Sequence, residues 1–166
     1  MTRILVTGAH GLLGQHLIRP RSGIDLVGCG RGSEPVGSLP YRSVQLSDQD
    51  DVARLLEEVQ PRWVIHTAAI TNVDRCETDR EEARRVNLDL VEILTSCCRA
   101  ADVGLVQLST DYVFSGEEGP YAEDAEPQPL SYYGQLKLES ERLVLESGIR
   151  GMVVRTLWLY GYLPGT

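Results

Sequence analysis

The chain has 166 residues, 24 acidic and 16 basic, for a formal net charge of −8. That length suits one domain with chain enough to bury a core, and 42% hydrophobic with 24% charged residues is a globular composition, not a disordered one. The acidic balance argues against a nucleic-acid partner, which needs clustered Lys and Arg, and no apolar run approaches the roughly 20 residues of a membrane span.

The apolar run at residues 4–6 is too short for a signal peptide, so a cytoplasmic protein beginning at Met1 is expected. Cys29, Cys76, Cys97 and Cys98 form no Cys-x-x-Cys pair. No metal site is expected, and the thiols read as buried or spectator groups in a reducing compartment.

Apolar runs alternate with helix-like stretches throughout. Residues 3–7 read as a buried strand, 11–19 as a helix and 25–29 as a second strand, followed by a Gly/Ser/Pro-rich loop. Residues 43–46 predict a short third strand. A helix follows over 50–60, with Val52, Leu55, Leu56 and Val59 on one face and Pro61 at its end. Residues 63–67 give a fourth strand, 81–101 a long helix and 105–109 a fifth strand. The proline- and acid-rich stretch 115–130 reads as a surface loop. A helix over 131–147 ends before Gly148, where a C-terminal glycine belongs, and 152–157 gives a sixth strand. Six strands with intervening helices imply an α/β fold with a doubly wound parallel sheet.

Three places carry chemistry. In Thr7-Gly8-Ala9-His10-Gly11-Leu12-Leu13-Gly14 the glycines recur every third residue between the first strand and first helix. Gly8 permits a tight turn, Gly11 lets the backbone approach a pyrophosphate, and Gly14 lets the helix pack closely on the strand, with free N–H groups offered to the anion. The spacing differs from G-x-G-x-x-G, but its place at the first strand–helix turn points to a dinucleotide. After the second strand stands Arg31, where NAD-preferring domains place an acid for the ribose 2′-OH. A forked cation there suits a 2′-phosphate, which favours NADP(H) while leaving NAD(H) open.

At the end of the fifth strand, the hydroxyl of Thr110 can bond a substrate carbonyl. Tyr133 and Lys137, four residues apart on a helix, share one face. An ammonium beside a phenol, together with an oxidised nicotinamide, is expected to lower the phenol's pKa. Asn87 sits at the edge of a helix stripe of Val86, Leu90, Ile93 and Cys97, in a row with Val91, Leu94 and Cys98. It could hold a water or backbone near Lys137, or equally serve as a satisfied structural amide.

The segments TGAHGLLG, HTAAITNVDRCE, STDYVF, YYGQLK and RTLWLYG resemble the extended short-chain dehydrogenase/reductase superfamily, and within it the dTDP-4-dehydrorhamnose reductase family. The resemblance covers the whole chain and implies a Rossmann fold. It implies that Thr110, Tyr133 and Lys137 form the catalytic set. It also implies that Gly11, Leu12 and Leu13, with Thr67, Ala68 and Ala69, line the cofactor, and that Thr110, Asp111 and Trp158 meet a sugar nucleotide. Gln45 stands where many relatives carry an adenine-binding Asp. The family continues past the sixth strand into most of its sugar-nucleotide site. Residues 1–166 are therefore expected to be the NAD(P)-binding domain, with the C-terminal substrate-binding part absent.

The implied activity is NADPH-dependent reduction of a 4-keto nucleotide sugar, with Tyr133 as general acid. Sister dehydratases carry Asp-Glu after the threonine, and Asp111-Tyr112 argues against that chemistry. Epimerases use the same Tyr and Lys, so epimerisation stays open. TGAHGLLG and VGCGR also resemble the regulatory beta subunit of methionine adenosyltransferase, a non-catalytic NADP binder. A homodimer is a further open expectation.

Overall fold

The computed structural model describes residues 1–32 and 39–162. Strands β1 (Thr2–Thr7), β2 (Ile24–Gly30), β3 (Tyr41–Ser43), β4 (Trp63–His66), β5 (Gly104–Thr110) and β6 (Gly151–Thr156) form one sheet in the order β3-β2-β1-β4-β5-β6. Every pairing between neighbours is parallel. The helices are α1 (Leu12–Leu17), α2 (Gln49–Val59), α3 (Val73–Thr78), α4 (Arg80–Arg84), α5 (Leu90–Ala100) and α6 (Tyr132–Glu146). A π-helical turn, Arg85–Asp89, joins α4 to α5, and a 3₁₀ turn, Asp111–Val113, follows β5. This is the doubly wound, six-stranded Rossmann sheet expected, with the strand order reversing between β1 and β4. A ligand crevice opens at such a point, beyond the carboxyl ends of the strands.

The core follows from strand alternation. Leu5, Val64 and Leu105 are in register across β1, β4 and β5, all fully buried, and pack under Val91, Leu94 and Cys98 of α5 and Val144 of α6. Fully burying each such side chain is worth roughly 1.5–3 kcal/mol. On the other face Val6 and Leu26 pack with Ala9 and Ile18. Two residues further along the strands the first face turns polar. Thr7, His66 and Gln107 stand in register where Leu5, Val64 and Leu105 stood, and all three are buried. The apolar row holds the helices, and the polar row begins at the end of the sheet where the crevice lies.

Helix α2 behaves as its sequence predicts. The Asp48 carboxylate caps it by accepting from Asp50 and Asp51 N–H at 2.9 and 3.1 Å, and Val52, Leu55, Leu56 and Val59 are its buried residues. Other elements differ from expectation. Helix α1 is shorter, six residues in place of 11–19. The third strand is Tyr41–Ser43, not 43–46, because Gly28, Cys29 and Gly30 of β2 pair with Tyr41, Arg42 and Ser43. The helix expected over 81–101 is broken by the π turn, and a short further helix, α3, precedes it. The Gly/Ser/Pro-rich loop after β2 lies partly outside the described residues, at 33–38.

All four cysteines are free and buried, and burial pushes the Cys29 and Cys98 thiols up to about 12. Among the described residues no His/Cys/Asp/Glu group could hold a metal, and no helix is long and apolar enough to cross a membrane.

Candidate active site

The crevice at the β1–β4 switch is a groove of about 450 Å³ lined by Gly8, Gly11, Gly30, Arg31, Thr67, Ala68 and Ala69, with Gln45 and Arg85 among its other walls. Its floor is the glycine turn. Gly8 has φ +66°, and a Cβ there would come within 2.7 Å of the Ala68 nitrogen. A Cβ on Gly14 would come within 2.3 Å of the Gly8 carbonyl oxygen. A side chain on Gly8 would push the turn away from the 67–68 segment that follows β4, and one on Gly14 would push α1 away from the turn. Gly11 is exposed at the groove, and its N–H donates to the Gly8 carbonyl at 2.9 Å. Leu12 and Leu13 follow as half-buried residues at the start of α1. The Thr67 hydroxyl ties β4 to β1 by donating to the Thr7 carbonyl at 2.7 Å. The cradle thus suits a phosphate-bearing ligand approached by backbone rather than side chains.

Arg31 is exposed at the end of β2, between this groove and an adjoining cavity that also holds Arg42 and Arg54. Arg42 is paired with Glu58 at 2.6 Å, and Arg54 with Asp51. Among the described residues no carboxylate pairs with Arg31.

Along the sheet, Thr110 closes β5 and α6 brings Tyr133 against it, close enough for a hydrogen bond between their hydroxyls. Gly134 makes that approach possible, because a Cβ there would sit 2.3 Å from the Tyr112 carbonyl oxygen. A glycine inside a helical pattern was the sequence signal for this contact, and it went unread. Ser131 starts α6 by accepting from the Gly134 N–H at 3.1 Å. The Thr110 hydroxyl also donates to Asp111 at 3.1 Å and accepts from the Tyr112 N–H at 3.2 Å. Trp158 is not packed into this cluster. It is 72% exposed in the segment after β6, two residues beyond Thr156, the register partner of Thr110.

Tyr133 and Lys137 are both buried, one helical turn apart. Burial pushes the Tyr133 phenol above its ordinary range, against the lowering effect of the Thr110 hydrogen bond. Lys137 is not among the groups that shift it, and the phenol is protonated at neutral pH; the lowering expected from an ammonium together with an oxidised nicotinamide concerns the cofactor-bound state. Burial also pushes the Lys137 ammonium down to about 8, opposed by the Glu141 carboxylate. Below Lys137 lies His66, whose Nδ1 is 2.7 Å from the Thr7 hydroxyl. Burial, followed by the charge of Lys137, holds this imidazole down at about 3, so it is neutral.

Asn87 is at the centre of the buried face, not its edge. Its amide accepts from the Ile70 N–H and donates to the Ile70 carbonyl, both at 2.9 Å. It is the structural amide of the two alternatives, and it clamps the 67–70 segment that walls the groove. The π turn inserts one residue and rotates the helix, placing Asn87 and Leu88 inside with Val91 and Leu94. Asn87→Ala should leave two backbone groups without their partner and cost about 2 kcal/mol. Urea unfolding of parent and variant measures this, and equal midpoints would contradict it.

The RmlD substrate binding domain family matches residues 1–165. The chain belongs to that family. It is 40% identical over 163 residues to a dTDP-4-dehydrorhamnose reductase of Streptomyces griseus, covering 96% of this chain and 50% of that protein. It is 36% identical over 162 residues to methionine adenosyltransferase 2 subunit beta of Rattus norvegicus, covering 96% and 47%. Among solved structures, the dTDP-4-dehydrorhamnose reductase of Bacillus anthracis in complex with NADP superposes with a TM-score of 0.83 at 28% identity, covering 99% of this chain and 57% of that one. The chain spans about half the length of these relatives.

Proposed function

We propose that residues 1–166 form the NAD(P)-binding and proton-donating domain of an NADPH-dependent reductase of a 4-keto nucleotide sugar. The observation that carries this reading is the buried Tyr133, one turn from Lys137 on α6 and facing Thr110 at the carboxyl end of β5, the same end of the sheet at which the glycine-turn groove opens. The groove residues Gly8, Gly11, Thr67, Ala68 and Ala69 would hold the dinucleotide, with Leu12, Leu13 and Gly14 behind them at the start of α1, and Lys137 would hold its nicotinamide ribose. A bound reduced nicotinamide supplies the hydride. Thr110 holds the substrate carbonyl oxygen, and Tyr133 donates its proton to that oxygen as it gains negative charge. Asp111 and Trp158 are the candidate sugar-nucleotide contacts, Trp158 by moving onto the ligand from its exposed position. The test is oxidation of NADPH by a 4-keto nucleotide sugar, measured on a protein that carries both this domain and a substrate-binding part, with no turnover there as the result that defeats the reading.

Arg31 is the proposed ligand of the cofactor's 2′-phosphate. Arg31→Ala should weaken NADPH binding roughly tenfold or more and leave NADH nearly unchanged, since it removes one charged contact worth about 1.5–3 kcal/mol. Fluorescence titration with both cofactors checks this, and equal losses for the two would defeat the assignment.

The similarity to methionine adenosyltransferase 2 subunit beta supports a second reading, a cofactor-binding regulatory subunit. NADPH binding without turnover of any keto sugar, together with capture of a methionine adenosyltransferase catalytic subunit, would favour it.

A further inference from the structure

Behind the candidate proton donor lies a second charged group that the proposed reaction does not use. Glu141 and Arg155 form a forked ion pair. The Arg155 Nε donates to Glu141 Oε1 at 3.0 Å and its Nη2 to Oε2 at 2.7 Å. The carboxylate is 2% exposed, on α6 one turn beyond Lys137, itself 3% exposed. Residues four apart on a helix share a face, so Tyr133, Lys137 and Glu141 run in one inward row. Arg155 reaches that row from β6 and is fixed on its other side. Its Nη1 donates to the Glu123 carbonyl at 3.0 Å, and its guanidinium lies 5.0 Å from the Phe114 ring centroid. Phe114 in turn stacks on Tyr121 at 4.3 Å.

We infer that Glu141, gripped by Arg155, is a positioning residue that supplies the counter-charge for the buried Lys137 ammonium. Burying a carboxylate is costly, and a pair that only pinned β6 to α6 could be replaced by apolar packing without loss. What apolar packing cannot do is offset the desolvation of a second cation one turn away. The other titratable groups that bear on this row are His66 on β4, Tyr133 on α6, Asp111 and Tyr112 on the 3₁₀ turn and Cys76 on α3, while Glu77 of α3 pairs with Arg80 and Arg84 of α4 pairs with Asp89 and Glu139, all at the surface. His66 and Tyr133 are neutral and Cys76 is a buried thiol, while Asp111 is engaged by the Thr110 hydroxyl. Glu141 is the carboxylate whose charge opposes the effect of burial on Lys137. Arg155 orients that carboxylate through the forked pair, and couples it to the 115–130 segment through the Glu123 carbonyl.

This inference rests on Lys137 being the cofactor lysine only for its functional consequence, so its test can be separated from that of the proposed function. Lys137 is the sole lysine of the chain. Labelling lysine at the ε carbon therefore gives one side-chain resonance, whose pH titration reports this ammonium alone. In the parent the midpoint should lie near 8. Glu141→Gln keeps the size of the side chain and removes its charge, and should lower the midpoint by about one unit. The alkaline limb of NADPH binding, followed by cofactor fluorescence, should move to lower pH by the same amount. A Lys137 midpoint unchanged in Glu141→Gln would overturn the inference, because a purely structural strut would not move it. Should that variant fail to fold, Glu141→Leu combined with Arg155→Met replaces the pair by apolar packing. The midpoint must fall there too, and an unchanged value again overturns the inference. A parent that titrates near 8 but binds no NADPH would instead defeat the proposed function and leave the ion-pair inference standing.

Discussion

Tyr133→Phe, in a protein that pairs this domain with a substrate-binding part, should lower kcat about 10²–10⁴-fold in the reduction of a 4-keto nucleotide sugar, the usual cost of losing a general acid. The substitution removes one hydroxyl. The ring remains to pack in the buried cluster with Cys76, Ala83, Leu88 and Leu136, so α6 and the fold should survive. The lost hydrogen bond is the one to Thr110, whose hydroxyl keeps its contacts to Asp111 and the Tyr112 N–H. Cofactor affinity should change little, since the glycine turn and Lys137 are untouched. The deficit should therefore appear in kcat and equally in kcat/KM, as for an interaction made only in the transition state. Because burial holds the phenol protonated, the parent should need no acid for activity at neutral pH. A variant kcat within about twofold of the parent, at saturating NADPH, would remove Tyr133 as the acid.

The order of strands and helices was legible because parallel sheets leave continuous apolar runs, and each run here recurs at the spacing of a crossover unit. The glycine turn and the Tyr-x-x-x-Lys pair were legible for a different reason. Each is a local pattern whose chemistry depends on spacing within one element. What escaped was set by contacts between elements. Helix α3 was missed because its six residues, Val73–Thr78, are too short for a periodic stripe, and its Asn72 cap lies within a polar segment. The place of Asn87 was misjudged because a π turn shifts the helix by one residue, and no periodicity count with 3.6 residues per turn anticipates that. The third strand was placed too late because its register is fixed by pairing with β2 rather than by its own three residues. His66, Glu141 and Arg155 lie on three separate elements. Read singly, they are a histidine ending an apolar strand, a glutamate on a helix and an arginine in a strand. Glu141 stands one turn from Lys137 on the same helix, but only the fold brings His66 of β4 and Arg155 of β6 to that helix.

His66 gives the chain a built-in sensitivity to acid. Its imidazole is fully buried, with Nδ1 against the Thr7 hydroxyl and no hydrogen-bond partner for Nε2 among the described residues. Burial and the neighbouring Lys137 charge depress its pKa from 6.5 to about 3. The unfolded chain therefore takes up a proton at this residue well before the folded one does. The stability that depends on a neutral His66 is fully present above about pH 6.5 and is lost as the pH falls towards 3, at up to about 1.4 kcal/mol per pH unit. In His66→Asn the side-chain amide can take over the bond to Thr7, and nothing at that position titrates. The variant should be less stable than the parent at neutral pH, because it loses part of a buried ring and leaves space behind. Titratable groups common to parent and variant contribute alike to both, so they cancel in the comparison. The gap between parent and variant should then narrow by about 2–3 kcal/mol between pH near 7 and pH near 4. Urea unfolding at a series of pH values, followed by tryptophan fluorescence, measures that gap directly. A gap that stays constant across the range would mean that the imidazole takes up its proton as readily in the folded protein as in the unfolded chain, and so is charged below about pH 6.5. Lys137 would then share its pocket with a second cation, and Glu141 alone could not balance them both.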